Sequence, residues 1–197
     1  MPLSRRLMLA LPSLALPALA TPARAQVVER ALGSATAKVT VQEFFSLTCS
    51  HCAAFHRDTF PRVKSELIDA DRVRFVFQDF PLDQVALNAA LVARSLPPER
   101  YVPFISALLA SQDRWAFARG VDSTEELAKM AGLAGMPRQA FNAALGDEKL
   151  KAAILGAQSE AEKRYRIQST PSFVVNGRTV AGAMSYDAFA KQVEQAA

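Results

Sequence analysis

Apolar and polar positions along the chain fall into two rhythms, one with period two and one with a period of three to four. Residues 38–46 are mostly apolar around Val39, Val41, Phe44 and Phe45, a density that predicts a strand buried on both faces. Residues 72–80 alternate charged and apolar side chains, with Val73, Phe75 and Phe77 in step, and predict a second strand. Between them a helix is expected from Cys49 through Ala53, Phe55 and His56. Pro61 must kink or interrupt it, because proline lacks the donor and clashes with the preceding turn. The helix is expected to resume over residues 62–69.

From residue 82 to about 167 every segment reads as helical. Residues 85–96 are rich in alanine and leucine, and residues 99–111 carry Tyr101, Phe104, Ile105, Leu108 and Leu109 on one side. Ser123-Thr124-Glu125-Glu126 has the form of a capping box, with Ser123 as the cap. Pro137 suits the first turn of a short helix bearing Phe141 and Leu145. Leu150, Ile154, Ala157, Ala161 and Tyr165 recur at spacings of four and three and mark a long amphipathic helix. These stripes read as core packing and carry no function.

The chain then returns to β. Ser172-Phe173-Val174-Val175 is followed by Asn176-Gly177, a favoured type I′ hairpin turn, and residues 178–181 supply the partner strand. Ser185 can cap a last helix bearing Tyr186, Phe189 and Val193. Residues 26–37 show no strong periodicity and read as a short lead. The order is β-α-β, a long helical insert, then β-β-α: an α/β sheet domain in two halves, residues 26–82 and 168–197, with an all-helical insertion over residues 83–167.

Residues 1–25 stand apart. Arg5 and Arg6 make a basic start, residues 7–19 are apolar, and Ala23-Arg24-Ala25 offers a small-x-small cleavage site, so the mature chain is expected to begin at Gln26. A membrane anchor fits less well, since a span needs roughly 20 apolar residues and this run is broken by Pro12 and Pro17. Ser4-Arg5-Arg6-Leu7-Met8-Leu9 also resembles a twin-arginine signal. Export to the periplasm is expected, by the Sec or the twin-arginine route. The formal net charge of +4 includes Arg5, Arg6 and Arg24, and the first 25 residues hold no acid. The basic character is thus largely a property of the leader. With no basic stripe elsewhere, nucleic-acid binding loses its support.

The chain has two cysteines, and they form Cys49-Ser50-His51-Cys52. In an oxidising compartment structural disulfides usually join distant segments. A bridge over so short a loop removes only about 2 kcal/mol of chain entropy, so chemistry is the better reason to keep it. A strand that feeds two such thiols into a helix start builds a redox site. Helix-terminal donors and the dipole favour a thiolate at Cys49, and a partly protonated His51 imidazole inside the loop would lower its pKa further. Such sites range over roughly 3.5–7.5, against about 8.5 for a free thiol. Cys49 is then the attacking sulfur, and Cys52, one turn deeper, resolves the mixed disulfide.

Two further positions call for explanation. Pro171 precedes a buried strand, where it removes a ladder donor. It is either a trans turn proline or a cis residue that exposes the Thr170 backbone beside Cys49, where an extended peptide can pair. Glu43 falls in an apolar strand, where a carboxylate is expensive to bury. It either faces solvent at a sheet edge or lies under Cys52 and exchanges a proton with it.

At these residues a resemblance emerges. Glu43-Phe44-Phe45-Ser46-Leu47-Thr48-Cys49-Ser50-His51-Cys52 resembles the active-site strand and helix of the DsbA family of exported thiol:disulfide oxidoreductases, and Thr170-Pro171-Ser172-Phe173 with Asn176-Gly177 is similar to its cis-proline loop and hairpin. The resemblance implies a thioredoxin fold with an inserted all-helical domain. It makes Cys49 the nucleophile, Cys52 the resolving thiol, Pro171 a cis-proline preceded by Thr170, and Glu43 a buried acid. No cofactor is implied. Reduced exported proteins would be the substrates, and a membrane quinone-linked thiol oxidase would restore the disulfide. Ser50 stands where the family commonly has proline, which leaves the potential open. Thr170 stands where some members carry valine and is more typical of isomerases. The lead of residues 26–37 is too short for a dimerisation domain, so a monomer is expected.

Two other functions use the same residues. A disulfide reductase, kept reduced by a membrane electron donor, would differ only in the direction of electron flow. A zinc or copper(I) module would draw on Cys49, Cys52, His51 and His56. Against the metal, His51 and Cys52 are adjacent and diverge on a helix, and no second ligand cluster exists. His56 reads instead as a partly exposed helix residue.

Overall fold

The computed structural model describes residues 27–197, so the leader and cleavage site read in residues 1–25 lie outside the described residues. Five strands form one mixed sheet in the order β1-β3-β2-β4-β5. They are β1 (Arg30–Leu32), β2 (Val39–Phe45), β3 (Val73–Asp79), β4 (Ser172–Val175) and β5 (Arg178–Ala181). β2 is parallel to β3 and antiparallel to β4, which makes it central and accounts for its apolar run. The lead was expected to be irregular. It instead supplies β1, antiparallel on β3 with Arg30 opposite Phe77 and Leu32 opposite Phe75. Three residues are too few for a period-two signal.

Helix α1 (Ser50–Asp58) follows β2. The chain breaks at Thr59, and α2 (Phe60–Val63) restarts with Pro61 in its first turn, where its missing N–H costs nothing. The continuation over Lys64–Ile68 is a π-helical turn where an α-helix was expected. Then come α3 (Gln84–Arg94), α4 (Pro98–Ala110), α5 (Gln112–Trp115), α6 (Ser123–Leu133), α7 (Arg138–Leu145) and α8 (Glu148–Tyr165). α9 (Tyr186–Glu194) closes the chain behind the hairpin, capped by Ser185 as expected.

Two local expectations change. Asp122, not Ser123, caps α6, accepting from Thr124 N and Glu125 N. A carboxylate is the stronger acceptor at the positive helix end, and Glu125 turns away to pair with Arg138. In α8, Ile154 and Ala161 are buried but Ala157 is exposed, so its apolar stripe is narrower than the spacing suggested.

The main apolar cluster spans sheet and helices, with two smaller clusters beside it. Val41, Phe45, Phe75, Phe77 and Phe173 lie in the same cluster as Val92, Tyr101, Ile105, Leu108, Trp115 and Phe141. A buried ion pair adds a polar tie. Arg94 bonds Asp79 at 2.5 Å, and its other nitrogens donate to Val28 O and Phe77 O at 2.8 Å. One guanidinium thus joins α3, β3 and the lead with its donors well used, which suits arginine's fixed fork.

Candidate active site

β2 delivers the chain to a tight turn at residues 46–49, closed by Cys49 N donating to Ser46 O at 3.1 Å. Cys49 is the N-cap of α1, in extended conformation, and makes no ordinary cap bond. Its sulfur therefore sits where the first-turn N–H groups need an acceptor. Cys52 lies one turn in, fully buried at 0% exposure against 8% for Cys49. Both are free thiols.

The Thr170–Pro171 bond is cis, and the Cys49 thiol donates to the Thr170 carbonyl at 3.2 Å. Residues 121 positions apart in sequence meet there, as the β2–β4 pairing requires.

The two sulfurs ionise in opposite directions. A hydrogen bond from the Cys52 thiol, with further donors from the Thr170 side chain and the backbone N–H groups of Cys52 and His51, outweighs burial and lowers the Cys49 pKa to about 5. At Cys52 burial dominates. With the neighbouring Cys49 and the charge of Glu43 acting the same way, the thiol is pushed far above its usual range. His51 is exposed, and what it gives the sulfur is its backbone N–H.

Under the thiols lies a pair that local sequence reading separated. Glu43 is wholly buried in β2, so the solvent-edge alternative is excluded: β3 and β4 flank it on both sides. His56, expected to be partly exposed, is buried, and its Nε2 lies 3.0 and 2.9 Å from the two Glu43 oxygens. Phe45, Phe55, Phe60 and Phe77 surround the imidazole, the nearest ring centroid being that of Phe60 at 4.8 Å. A signal for the pair was present. His56 is four residues past Cys52, hence on the same buried helix face, and a buried acid needs a partner. Phe55, on the same helix, belongs to the core at 1% exposure.

Two supports carried no local signal at all. Thr48 Oγ1 donates to Asp83 at 2.7 Å, joining the turn to the cap of α3. Gln112, at the start of α5, donates from one nitrogen to Leu47 O at 2.9 Å and to Cys49 O at 3.1 Å. Among the described residues no group of three or more His, Cys, Asp or Glu could hold a metal ion. His56 is spent on Glu43 and His51 faces solvent, so the zinc or copper(I) set does not converge.

Fold and site together define a protein of thioredoxin fold with a dithiol centre at a helix start. Residues 25–195 match the family described as Thioredoxin. The crystal structure of alpha-DsbA1 from Wolbachia pipientis superposes with a TM-score of 0.78 at 30% identity, covering 85% of this chain and 89% of that one. A Rickettsia prowazekii protein provisionally named a protein-disulfide oxidoreductase is 31% identical over 169 residues, 85% of this chain and 61% of that protein. Disulfide bond formation protein D of Bacillus subtilis is 26% identical over 176 residues, 83% of this chain and 75% of that protein. The chain thus spans about three fifths of the Rickettsia relative's length. It belongs to the thioredoxin family, in its DsbA-like branch.

Proposed function

We propose that the protein is a thiol:disulfide oxidoreductase that donates the Cys49–Cys52 disulfide to reduced exported proteins. The observation that carries this reading is Cys49 itself: a sulfur at a helix start against Thr170, with its pKa lowered to about 5. A stable thiolate favours the reduced enzyme and so makes its disulfide a strong oxidant.

In the oxidised enzyme a substrate thiolate attacks Cys49 Sγ. The Cys49–Cys52 bond breaks, the substrate–Cys49 bond forms, and Cys52 departs with the electron pair. Cys52 cannot rest as a buried anion, so it takes a proton, and Glu43 beneath it is the group through which that proton passes. His56 holds the carboxylate in place. A second substrate thiolate then attacks the substrate sulfur, and Cys49 leaves as a thiolate without needing a proton. The substrate is oxidised by two electrons and the enzyme is reduced by two. Thr170 and Pro171 present the backbone edge on which an extended substrate pairs.

In this reading residues 26–82 and 168–197 form the thioredoxin-like unit that carries the thiols, and residues 83–167 form the helical insertion. The protein acts as a monomer in the periplasm after loss of residues 1–25, and a membrane quinone-linked oxidase restores the disulfide. Among the described residues no helix is long and apolar enough to cross a membrane.

Equilibration with glutathione buffers tests the direction of transfer. A reduction potential near about −120 mV, that of a strong DsbA-type oxidant, is the expected result; one near about −270 mV, that of thioredoxin, would reassign the protein as a reductase.

A further inference from the structure

We propose that Gln112 is a positioning residue, an amide clamp from the helical insertion that holds the turn on both sides of Cys49 so that the donors of α1 face its sulfur. The proposal rests on the thiol–disulfide reading of the site and names a residue outside the motif that tunes it.

The clamp is well mounted. Gln112 is 7% exposed and opens α5, a single turn between α4 and α6. That turn is held from beneath by Trp115, 1% exposed, whose indole N–H donates to Leu108 O at 2.8 Å. Ser111 adds a bond to Ala107 O at 2.7 Å. The amide nitrogen has two hydrogens, one for Leu47 O and one for Cys49 O. The Cys49 carbonyl also accepts the first helical bond, from Ala53 N at 3.1 Å. Both lone pairs of that oxygen are therefore engaged.

The consequence follows from peptide planarity. A carbonyl and the N–H of the next residue lie in one rigid plane and point in opposite directions. Pinning Cys49 O toward Gln112 fixes the Cys49–Ser50 peptide plane at which the chain enters α1, and the helix that starts from that plane carries the N–H groups of His51 and Cys52 that serve the sulfur. Without the amide two buried carbonyls lose a donor, a loss the turn can relieve by rotating its peptides. That rotation takes donors from the sulfur.

The test is a pH titration of the reduced protein by ultraviolet thiolate absorbance, with Gln112→Met as the main variant. Methionine keeps the length and apolar volume but has no donor. The midpoint of Cys49 should rise by about one pH unit, a tenfold change in the ionisation constant. The glutathione equilibrium should move by the same factor toward the disulfide, about 30 mV for a two-electron couple. Trp115→Phe loosens the mount but leaves the amide, and should lower stability while moving the midpoint by less than loss of the amide itself. Should the Gln112→Met protein not fold, Gln112→Glu sets a carboxylate against the same carbonyls and should raise the midpoint further. A folded Gln112 variant with an unmoved midpoint overturns the clamp, as does a Trp115→Phe shift of equal size. Failure of the thiol–disulfide reading would look different: the unaltered protein would not exchange with glutathione, whereas the titration reads Gln112 either way.

Discussion

Cys49 and Cys52 occupy the same helix, one turn apart, with the same side chain, and the molecule treats them as different chemical groups. Cys49 sits at the mouth, where a thiol, a hydroxyl and two backbone donors converge, and its pKa falls to about 5. Cys52 sits on the floor above Glu43, where burial and negative charge push its thiol far up. Donors at the mouth favour the anion, and desolvation at the floor forbids it. The lesson is that a dithiol motif acquires direction from its two surroundings. One sulfur is prepared to leave as an anion and the other to keep its proton.

The largest test of that contrast exchanges each sulfur for oxygen. Cys49→Ser should abolish exchange, while Cys52→Ser should trap a mixed disulfide with substrate, visible on non-reducing gels. Trapping by Cys49→Ser instead would reverse the two roles. A smaller effect is expected at the floor. If the proton of Cys52 passes through Glu43 as proposed, Glu43→Gln should slow the step in which Cys52 attacks or leaves by about 100-fold, the scale of general acid–base catalysis. A rate unchanged between about pH 5 and 8 would deny Glu43 that part.

A third test isolates the mouth. Because the folded pKa of Cys49 lies at about 5, below its ordinary 9.0, the reduced fold holds a thiolate while the unfolded chain still holds a proton. Stability of the reduced form should therefore rise with pH from about 5 and level off near 9. Above that pH, Cys52 reverses the slope, since its folded thiol stays protonated. The oxidised form has no such titration. Denaturation midpoints of the two forms that stay parallel across this range would show that Cys49 is not depressed.

Much of this molecule was legible in order along the chain. Strands β2 and β3, the hairpin at Asn176-Gly177 and the helical run between the halves follow from local periodicity and turn chemistry, which act over a few residues. The thiol pair at a helix start is likewise a local pattern. Most of what escaped reading was decided at long range. β1 is too short to show a period and exists because β3 offers an edge. Asp122 took the cap because its carboxylate, one residue earlier, reaches the first free donors at Thr124 N and Glu125 N. His56 read as a partly exposed helix residue until the sheet brought Glu43 beneath it.

The sequence by itself determined the elements, their order, and the two thiols that carry the chemistry, because hydrophobic period, capping and turn preference are properties of adjacent residues. Tertiary structure alone decided how those thiols differ. Thr170 reaches Cys49 across 121 residues and Gln112 reaches it across 63. Burial and hydrogen bonding are properties of a site in space, and ionisation answers to them more than to the residue's own type.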